Sequence, residues 1–363
     1  MKLKRLELEQ FTVFEKTEFE FTEGLNVFIG ANGTGKSHLM KLLYAILLSG
    51  RSSRGSAAPS GAVVPHDTFE NRLGRKLAAV FRPDEDSIGR LVARTVGKSK
   101  AVIRLHDDGK GGLKFRLTTE SNLHLDEHTL SFGEKSIFIP SRETFAMYEG
   151  FVAAYLDREL SFDETYYDLC VALSANAIKG KRLKAANALI GPLEDEVLGG
   201  KVQLTGGRFN VYTADGVIEA HLLSEGLRKV ASLVRLVANG SLMQNGFLFW
   251  DEPEANLNPK LVTKVAAVLR RLAASGVQVF VATHDYLLTH ELSLAAEYPE
   301  QQPKELKCPI RFFALSRGPT GGVTSQAGNI LADLQDNPIL DEFSALYDRR
   351  RNLFDAKTEE TAK

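Results

Sequence analysis

The spacing of apolar residues predicts a strand, a loop and a helix near the amino terminus. Between residues 3 and 8 apolar positions alternate with polar ones, and the alternation returns at 19–21 after a polar gap. Residues 25–29 (LNVFI) are almost continuously apolar, which indicates a buried strand. A glycine-rich loop follows, and residues 39–47 carry leucine and isoleucine at helical spacing. Strand, loop and helix in this order are typical of a phosphate-binding unit.

The remainder of the chain has a middle part with patterns of both strands and helices, followed by a part in which helix and strand patterns alternate. Residues 88–139 contain short alternating runs separated by turn signals, which predict an antiparallel sheet inserted into the fold. Helical periodicity runs through 145–200, and 201–222 has the pattern of hairpins with glycine turns. Beyond residue 223 the pattern is helix, strand, helix, strand, with buried strands at 247–250 and 277–281. We therefore predict an α/β fold with a mixed insertion.

This pattern predicts a split domain organisation. Residues 1–50 and 222–320 form the expected core, and 67–221 form an inserted antiparallel sheet with a helical subdomain. The Gly-, Ser- and Pro-rich sequence at 51–66 predicts a flexible linker, and 321–363 are expected to be a carboxyl-terminal helix and tail.

The loop after the first buried strand has the sequence GANGTGKS, a complete G-x-x-x-x-G-K-S motif at residues 30–37. Its glycines let the backbone N–H groups face phosphate oxygens, while Lys36 reaches the terminal phosphates and the Ser37 hydroxyl binds magnesium. The positive end of the following helix adds to the attraction. The candidate nucleotide-binding residues of this loop are Gly30, Asn32, Gly33, Gly35, Lys36 and Ser37.

A pair of carboxylates ends the buried strand in FLFWDEPEANLNP, residues 247–259. Asp251 is the candidate magnesium ligand beside Ser37. Glu252 is the candidate catalytic residue that orients or deprotonates the attacking water. Together with the phosphate loop, this pair predicts an NTPase.

Three further segments specify the kind of NTPase. Ser224 and Gly226 stand at the start of a predicted helix, Asn256 and Asn258 follow the carboxylate pair, and His284 follows the next strand. Phosphate loop, Ser-x-Gly helix, Asp-Glu strand, Asn-Leu-Asn turn and histidine occur in this order. The chain resembles the ATP-binding-cassette (ABC) ATPases, in the branch that contains the structural-maintenance-of-chromosomes (SMC) heads, RecF and the OLD family. Residues 1–50 and 220–290 carry the resemblance.

The resemblance implies ATP and Mg²⁺ as cofactors and a role for each motif. Ser224 and Gly226 form the signature, which contacts the γ-phosphate held by the other subunit. Glu252 activates water, residues 256–258 form the subunit-bridging D-loop, and His284 is the switch histidine. The resemblance therefore implies two ATP molecules sandwiched in a head-to-tail homodimer.

Two departures from transporter cassettes stand out. The signature reads LSEGLRK, with Glu225 and Leu227 where transporters have glycine and glutamine. The segment expected to supply the Q-loop, residues 137–143 (IFIPSRE), contains no glutamine. Either one of the three residues at 141–143, Ser-Arg-Glu, takes the role of the Q-loop glutamine, or the segment is an ordinary strand end.

Charge is balanced over the whole chain but not along it. The 46 acidic and 45 basic residues cancel, yet 72–116 carries 12 basic and 5 acidic residues, and 117–170 carries 3 basic and 11 acidic. The basic stretch either contacts DNA or pairs with acidic groups, in the acidic stretch of this chain or in a partner protein. Cys170 and Cys308 fit no metal or redox spacing. Because no apolar run approaches the roughly 20 residues of a membrane-spanning helix, we expect a cytoplasmic protein with no membrane partner.

Two weaker signals each have two interpretations. The sequence HLDEH at 124–128 matches an inverted zinc-protease motif, but its flanks favour a strand in a solvated hairpin. Phe11 and Phe14 are either adenine-stacking residues or core residues.

We interpret the sequence as an ATP-gated switch, a homodimer or higher oligomer, in DNA maintenance, DNA repair or anti-phage defence. The chain lacks the heptads for long coiled-coil arms and has little room for a nuclease domain, so the effector is expected to be a separate protein. The ATP-binding subunit of a membrane transporter is the alternative, which the signature, the insertion and the missing glutamine disfavour. A small-molecule phosphotransferase would have no use for the signature helix and D-loop.

Overall fold

The computed structural model describes residues 1–50, 67–93, 97–133, 135–157, 159–318 and 321–361. The predicted linker at 51–66 lies outside the described residues. The strands are β1 Leu3–Phe11, β2 Phe14–Glu20, β3 Leu25–Gly30, β4 Lys100–Asp107, β5 Gly112–Thr118, β6 Leu123–His128, β7 Ser136–Ile139, β8 Gly200–Thr205, β9 Arg208–Thr213, β10 Gly216–Glu219, β11 Phe247–Asp251, β12 Gln278–Thr283, β13 Ile310–Arg317 and β14 Val323–Gly328. The α-helices are α1 Lys36–Ser49, α2 Phe69–Phe81, α3 Tyr148–Leu156, α4 Glu164–Ser174, α5 Lys181–Leu193, α6 Glu225–Ala238, α7 Pro259–Ala274, α8 Tyr286–Glu297 and α9 Pro338–Thr361.

A six-stranded sheet forms the centre of the fold, in the order β14-β13-β3-β12-β11-β7. All neighbours pair in parallel except β14, which is antiparallel to β13. The carboxyl ends of parallel strands meet at one edge of a sheet, and ligands of such sheets bind there. The loops that follow β3, β11 and β12 are therefore gathered at one edge.

The two faces of this sheet have different side chains. One face carries phenylalanines whose ring centroids stand 4.9 Å apart at Phe249–Phe280 and 5.1 Å apart at Phe28–Phe313, and α1 packs on it. The other face carries aliphatic residues and Trp250, covered by α6, α7 and α8. Because both faces are buried, its strands are almost continuously apolar, as the sequence predicted.

The predicted inserted sheet is not a separate unit. Strands β4 to β6 extend a five-stranded antiparallel sheet, β2-β1-β4-β5-β6, in which Leu6 lies between Phe19 and Leu105. This sheet and α1 share one buried core. A third sheet, β10-β9-β8, has turns at Gly206-Gly207 and before Gly216, as predicted.

The predicted domain boundaries need two corrections. Strand β7 belongs to the central sheet, where Phe138 lies beside Phe249, although we predicted it within the insertion. Strand β14 also pairs within the central sheet, although we predicted residues 321–363 as helix and tail. Both strands lie at edges of the sheet. Strand β7 pairs with β11, which is distant in sequence and which local periodicity does not reveal, whereas β14 forms a hairpin with the preceding strand β13. No helix among the described residues is long and apolar enough to cross a membrane.

Candidate active site

The phosphate loop folds tightly because three of its glycines adopt backbone conformations that other residues avoid. The φ angles are 156° at Gly30, 77° at Gly33 and 88° at Gly35. A Cβ atom at Gly35 would lie 2.6 Å from Val13 Cγ2, and one at Gly30 would lie 2.6 Å from the carbonyl oxygen of Leu315. Substitution would therefore strain the backbone and also collide with neighbouring atoms.

Lys36 is held inside this loop at the first position of α1. Its ammonium group donates to the carbonyl oxygens of Gly30 at 2.6 Å and Ala31 at 3.1 Å. Burial lowers the pKa of Lys36, and the nearby carboxylates, Asp251 first among them, oppose that shift. The ammonium group thus lies between the loop carbonyls and the carboxylates of β11.

Ser37 and Asp251 meet across the edge of the sheet. The Ser37 hydroxyl donates to Asp251 Oδ2 at 2.7 Å. Burial raises the pKa of Asp251, and the hydrogen bond from Ser37 acts in the opposite direction. A hydroxyl and a carboxylate are hard oxygen donors, which Mg²⁺ prefers together with phosphate oxygens. These two residues fit a magnesium site that is completed by a nucleotide.

Glu252 and His284 face each other at the ends of β11 and β12. His284 Nδ1 lies 3.4 Å from Glu252 Oε1; the His284 side chain is exposed and that of Glu252 is half-buried. Glu252 has a φ of 49°, although it is not glycine, and its N–H donates to the Ala282 carbonyl at 2.9 Å. Such left-handed residues cost about 1–3 kcal/mol and cluster at functional sites.

Glu254 is a buried carboxylate that the sequence reasoning missed. It accepts hydrogen bonds from Thr283 Oγ1 at 2.7 Å and from the His284 backbone N–H at 3.4 Å. Burial raises the pKa of this carboxyl group. The second glutamate of DEPE was the available signal, because an acidic residue in a turn between buried elements needs partners. Glu254 ties the β11 turn to the backbone that carries His284.

Lys229 is the second residue that the sequence reasoning missed. It lies on α6 with only 1% of its surface exposed, and its ammonium group donates to the Glu252 carbonyl at 3.3 Å. Burial lowers its pKa, whereas the charges of Glu225, Glu254, Glu252 and Asp251 raise it. A buried lysine requires negative groups nearby, so Lys229 links the predicted signature helix to the carboxylates.

The amino terminus of α6 is exposed. Ser224 is the N-cap residue, yet its hydroxyl makes no capping hydrogen bond. Leu222, two residues earlier, is 74% exposed. A free hydroxyl and the first N–H groups of a 14-residue helix can bind an anion that approaches from outside the chain.

Gly226 packs directly against the predicted D-loop. A Cβ atom at Gly226 would lie 2.6 Å from Leu257 Cδ2 and 2.7 Å from the Asn256 carbonyl oxygen. Asn256 is exposed with a φ of 64°, whereas Asn258 caps α7 by accepting the Leu261 N–H at 3.1 Å. The signature and the D-loop of one chain therefore form a single packed unit.

Of the three residues left open for the Q-loop role, Glu143 contacts the signature helix. Its Oε1 lies 2.7 Å from Arg228 Nε, and both side chains are largely buried. Its Oε2 accepts the Ala146 N–H at 3.1 Å. A buried ion pair constrains both partners because either charge alone is costly to bury. Glu143 thus joins the segment after β7 to α6.

The basic stretch 72–116 is largely neutralised within the chain. Lys76 contacts Asp168 and Glu164 of α4, and Arg104 contacts Glu9 and Glu7. Similar pairs join Lys98 to Glu120 and Arg116 to Asp126. Arg94 lies outside the described residues. The structure thus favours intramolecular pairing over DNA contact for this stretch.

The structure decides between the two interpretations of the HLDEH segment and of the two phenylalanines. The HLDEH segment forms strand β6, and the His128 ring stacks on Phe69 with centroids 4.1 Å apart. No group of three or more candidate ligands that could hold a metal ion occurs among the described residues. Phe11 and Phe14 are fully buried, so neither presents a ring face to adenine.

Comparison with known proteins identifies the family of this chain. Residues 25–289 match the family described as "AAA domain, putative AbiEii toxin, Type IV TA system". The chain is 31% identical over 165 residues to the DNA replication and repair protein RecF of Streptococcus suis (strain 05ZYH33), covering 44% of this chain and 38% of that protein. It is 35% identical over 71 residues to the cobalt import ATP-binding protein CbiO of Salmonella typhimurium, covering 20% of this chain and 25% of that protein. These matches span less than two thirds of either relative.

Solved structures show the same fold at low sequence identity. An SMC head bound to the C-winged helix domain of ScpA superposes with a TM-score of 0.55 at 14% identity, covering 92% of this chain and 99% of that chain. The SMC head from Pyrococcus furiosus bound to the C-terminal domain of ScpA gives 0.50 at 13% identity, covering 96% and 99%. The chain therefore belongs to the family described as "AAA domain, putative AbiEii toxin, Type IV TA system", and it is an ABC-type ATPase of the SMC/RecF branch.

Proposed function

We propose that this protein hydrolyses Mg-ATP as a head-to-tail homodimer and that the ATP-bound dimer signals to a separate effector protein. The observation that carries the proposal is the exposed amino terminus of α6. Ser224 leaves its hydroxyl free, and Leu222 beside it is 74% exposed. A second chain that brought its γ-phosphate to Ser224 would cover Leu222 and contact the exposed Asn256.

Different residues of one chain have different roles in the proposed hydrolysis of ATP. Lys36 and the loop N–H groups hold the phosphates, while Ser37 and Asp251 would hold magnesium. A magnesium ion would neutralise charge on the phosphates. Glu252 Oε1 accepts a proton from the attacking water, and His284, 3.4 Å away, orients that carboxylate and meets the γ-phosphate.

The pathway is proposed from the family and the relatives. The family description names a toxin of a type IV toxin–antitoxin system, and RecF is named as a replication and repair protein. The SMC heads of the solved structures are bound to ScpA. We therefore assign the protein to DNA maintenance, DNA repair or anti-phage defence, with a separate partner. A transporter role is disfavoured because the signature has Glu225 and Leu227 where transporters have glycine and glutamine, and because residues 137–143 contain no glutamine.

Trapping the ATP state tests the dimer. Glu252→Gln should retain ATP and form a dimer with ATP-magnesium at micromolar concentration in size exclusion with light scattering, whereas adding Lys36→Ala should abolish it. Ser224→Arg in the Glu252→Gln background should abolish the dimer while fluorescent-ATP binding persists. A Glu252→Gln protein that stays monomeric with bound ATP-magnesium would contradict the proposal.

Ser174→Arg is the matched control for Ser224→Arg. Ser174 is an exposed serine that ends α4. That end of α4 packs beside Arg235, which donates to the Leu173 and Ala175 carbonyls from a position ten residues, about 15 Å, along α6 from its first residue. The control should therefore dimerise like its Glu252→Gln parent.

The effector role needs a cellular test. The ATPase would be expressed with the gene that neighbours it in the genome, in a host challenged with phage or with a DNA cross-linker. Protection from either challenge that Lys36→Ala removes supports the proposal and identifies the pathway. Protection that Lys36→Ala retains would separate the phenotype from ATP.

A further inference from the structure

A cavity of about 620 Å³ opens at the edge of the central sheet opposite to the phosphate loop. Its lining comes from the end of β2, the start of β13, α7 and the segment that joins α8 to β13. Strands β3 and β13 run parallel, with Ile310 beside Leu25 at their amino ends. The six residues of β3 span about 20 Å, so the cavity is distinct from the nucleotide site at the carboxyl end.

The charges around this cavity are mostly positive. Four basic side chains, Lys4, Arg270, Lys307 and Arg311, line it together with a single acidic residue, Glu20. Cavities that bind small molecules usually have volumes of about 300–1,000 Å³ and a few converging polar groups. The size and the charge of this cavity both suit an anionic small molecule.

Two arginines of the cavity, the buried Arg270 and the half-buried Arg311, each have a guanidinium nitrogen that is buried without a hydrogen-bond partner. Arg270 is only 8% exposed, its Nη2 donates to Gln302 Oε1 at 2.8 Å, and its Nε has no hydrogen-bond partner. Arg311 Nε is also buried without a partner. Within the described part of the chain, no carboxylate lies at ion-pair distance from either group; Glu291 acts on Arg270 only from further away.

Removing a guanidinium group from water without a counter-ion lowers the stability of the fold unless a bound anion pairs with the group. Burial lowers the pKa of Arg270, which reflects a charged group removed from water without a carboxylate beside it. The planar guanidinium group has donors in a fork that matches the oxygens of carboxylate or phosphate. An oxyanion bound in the cavity would therefore accept hydrogen bonds from the unpaired donors of Arg270 and Arg311.

The rest of the wall is apolar. Phe21, Leu306 and Ile310 line the cavity with Ala295 and Ala296. A fully hydrated inorganic ion would leave this surface without a partner. A ligand with a compact aromatic or aliphatic body would bury it.

We propose that this cavity binds a small molecule in which a carboxylate or a phosphate is attached to a compact apolar body, with Arg270 and Arg311 pairing with the oxyanion. The site would be separate from the ATP site and would give the ATPase a second small-molecule ligand. This proposal does not depend on dimerisation.

Cys308 provides a local reporter for the test. It lines the cavity and is partly exposed, whereas the other cysteine of the sequence, Cys170, is fully buried. Burial raises the pKa of Cys308 to about 11, so labelling is carried out at alkaline pH with a small thiol reagent and is followed by mass spectrometry. Phosphate that binds at the phosphate loop, at the other edge of the sheet, does not shield Cys308.

The probes are phenyl phosphate and phenylacetate, with benzyl alcohol as the neutral control. At millimolar concentration, at least one of the two anions should slow Cys308 labelling by about tenfold, whereas benzyl alcohol should not. Protection by phenyl phosphate alone identifies a phosphate ligand, and protection by phenylacetate alone identifies a carboxylate ligand. Failure of both anions, or equal protection by benzyl alcohol, would overturn the proposal.

The arginine variants assign the protection to the two guanidinium groups. Arg270→Lys keeps a cation but loses the fork, and Arg311→Gln removes the charge. Either change should abolish protection while the melting temperature and fluorescent-ATP binding stay near those of the parent. Lys304→Gln, at an exposed position close by in sequence that does not line the cavity, should retain it. Protection that survives both arginine changes would also overturn the proposal.

Discussion

Replacing Gly226 by alanine tests whether the signature and the D-loop act as one packed unit. The new Cβ atom would lie 2.7 Å from the Asn256 carbonyl oxygen, well inside the 3.4 Å at which ordinary contact begins. The Leu257 side chain, at 2.6 Å, can rotate away, but a backbone carbonyl cannot. The D-loop must therefore move by about 0.7 Å, an overpacking change that typically costs 1–3 kcal/mol.

The consequence should appear in both stability and assembly. Urea unfolding should show Gly226→Ala to be less stable than its parent by about 1–3 kcal/mol. In the Glu252→Gln background, the ATP-dependent dimer should dissociate about tenfold more readily, because a displacement that costs 1.4 kcal/mol at the interface changes the dissociation constant tenfold. Fluorescent-ATP binding to the monomer should not change, because the phosphate loop is untouched.

A second glycine supplies the control. Gly191 lies in α5, and a Cβ atom built there meets no atom within 4 Å. Gly191→Ala should be neutral or stabilising by about 0.5–1 kcal/mol, since alanine restricts the unfolded chain. If Gly226→Ala matched Gly191→Ala in both urea midpoint and dimer stability, the steric reasoning would be refuted.

Two further changes probe lysines that lie among acidic side chains. Lys229→Met conserves volume, so stability should change by less than about 1.5 kcal/mol, but ATP hydrolysis should fall about tenfold. Loss of that cation raises the pKa of Asp251 further, so the acidic limb of the rate–pH profile should move to higher pH; an unmoved limb would argue against an electrostatic role. Lys76→Met leaves the carboxylates of Asp168 and Glu164 without their shared cation. Thermal unfolding should show that this change destabilises the fold by about 2 kcal/mol. An unchanged melting temperature would show that solvent screens the two carboxylates.

The chemistry of the nucleotide site was predictable because it depends on contiguous residues. The phosphate loop works through backbone angles at Gly33 and Gly35 and through the first residues of the helix that follows. These are properties of eight adjacent residues and need no distant contact. The Asp-Glu pair at the end of β11 is equally local, because a buried apolar strand that ends in carboxylates places them at the sheet edge.

The sequence by itself therefore determined the fold class, the phosphate loop and the order of the motifs. The tertiary structure decided which distant groups share a charge environment: Lys229 beside the carboxylates, Glu254 beneath His284, Glu143 against Arg228, and two arginines around a cavity. It also decided that β7 pairs with β11 and completes one edge of the central sheet. The physical reason is the same in each case. Partners separated by tens to hundreds of residues meet only after the chain has folded, and the charge, burial and hydrogen bonding of a side chain are set by those partners.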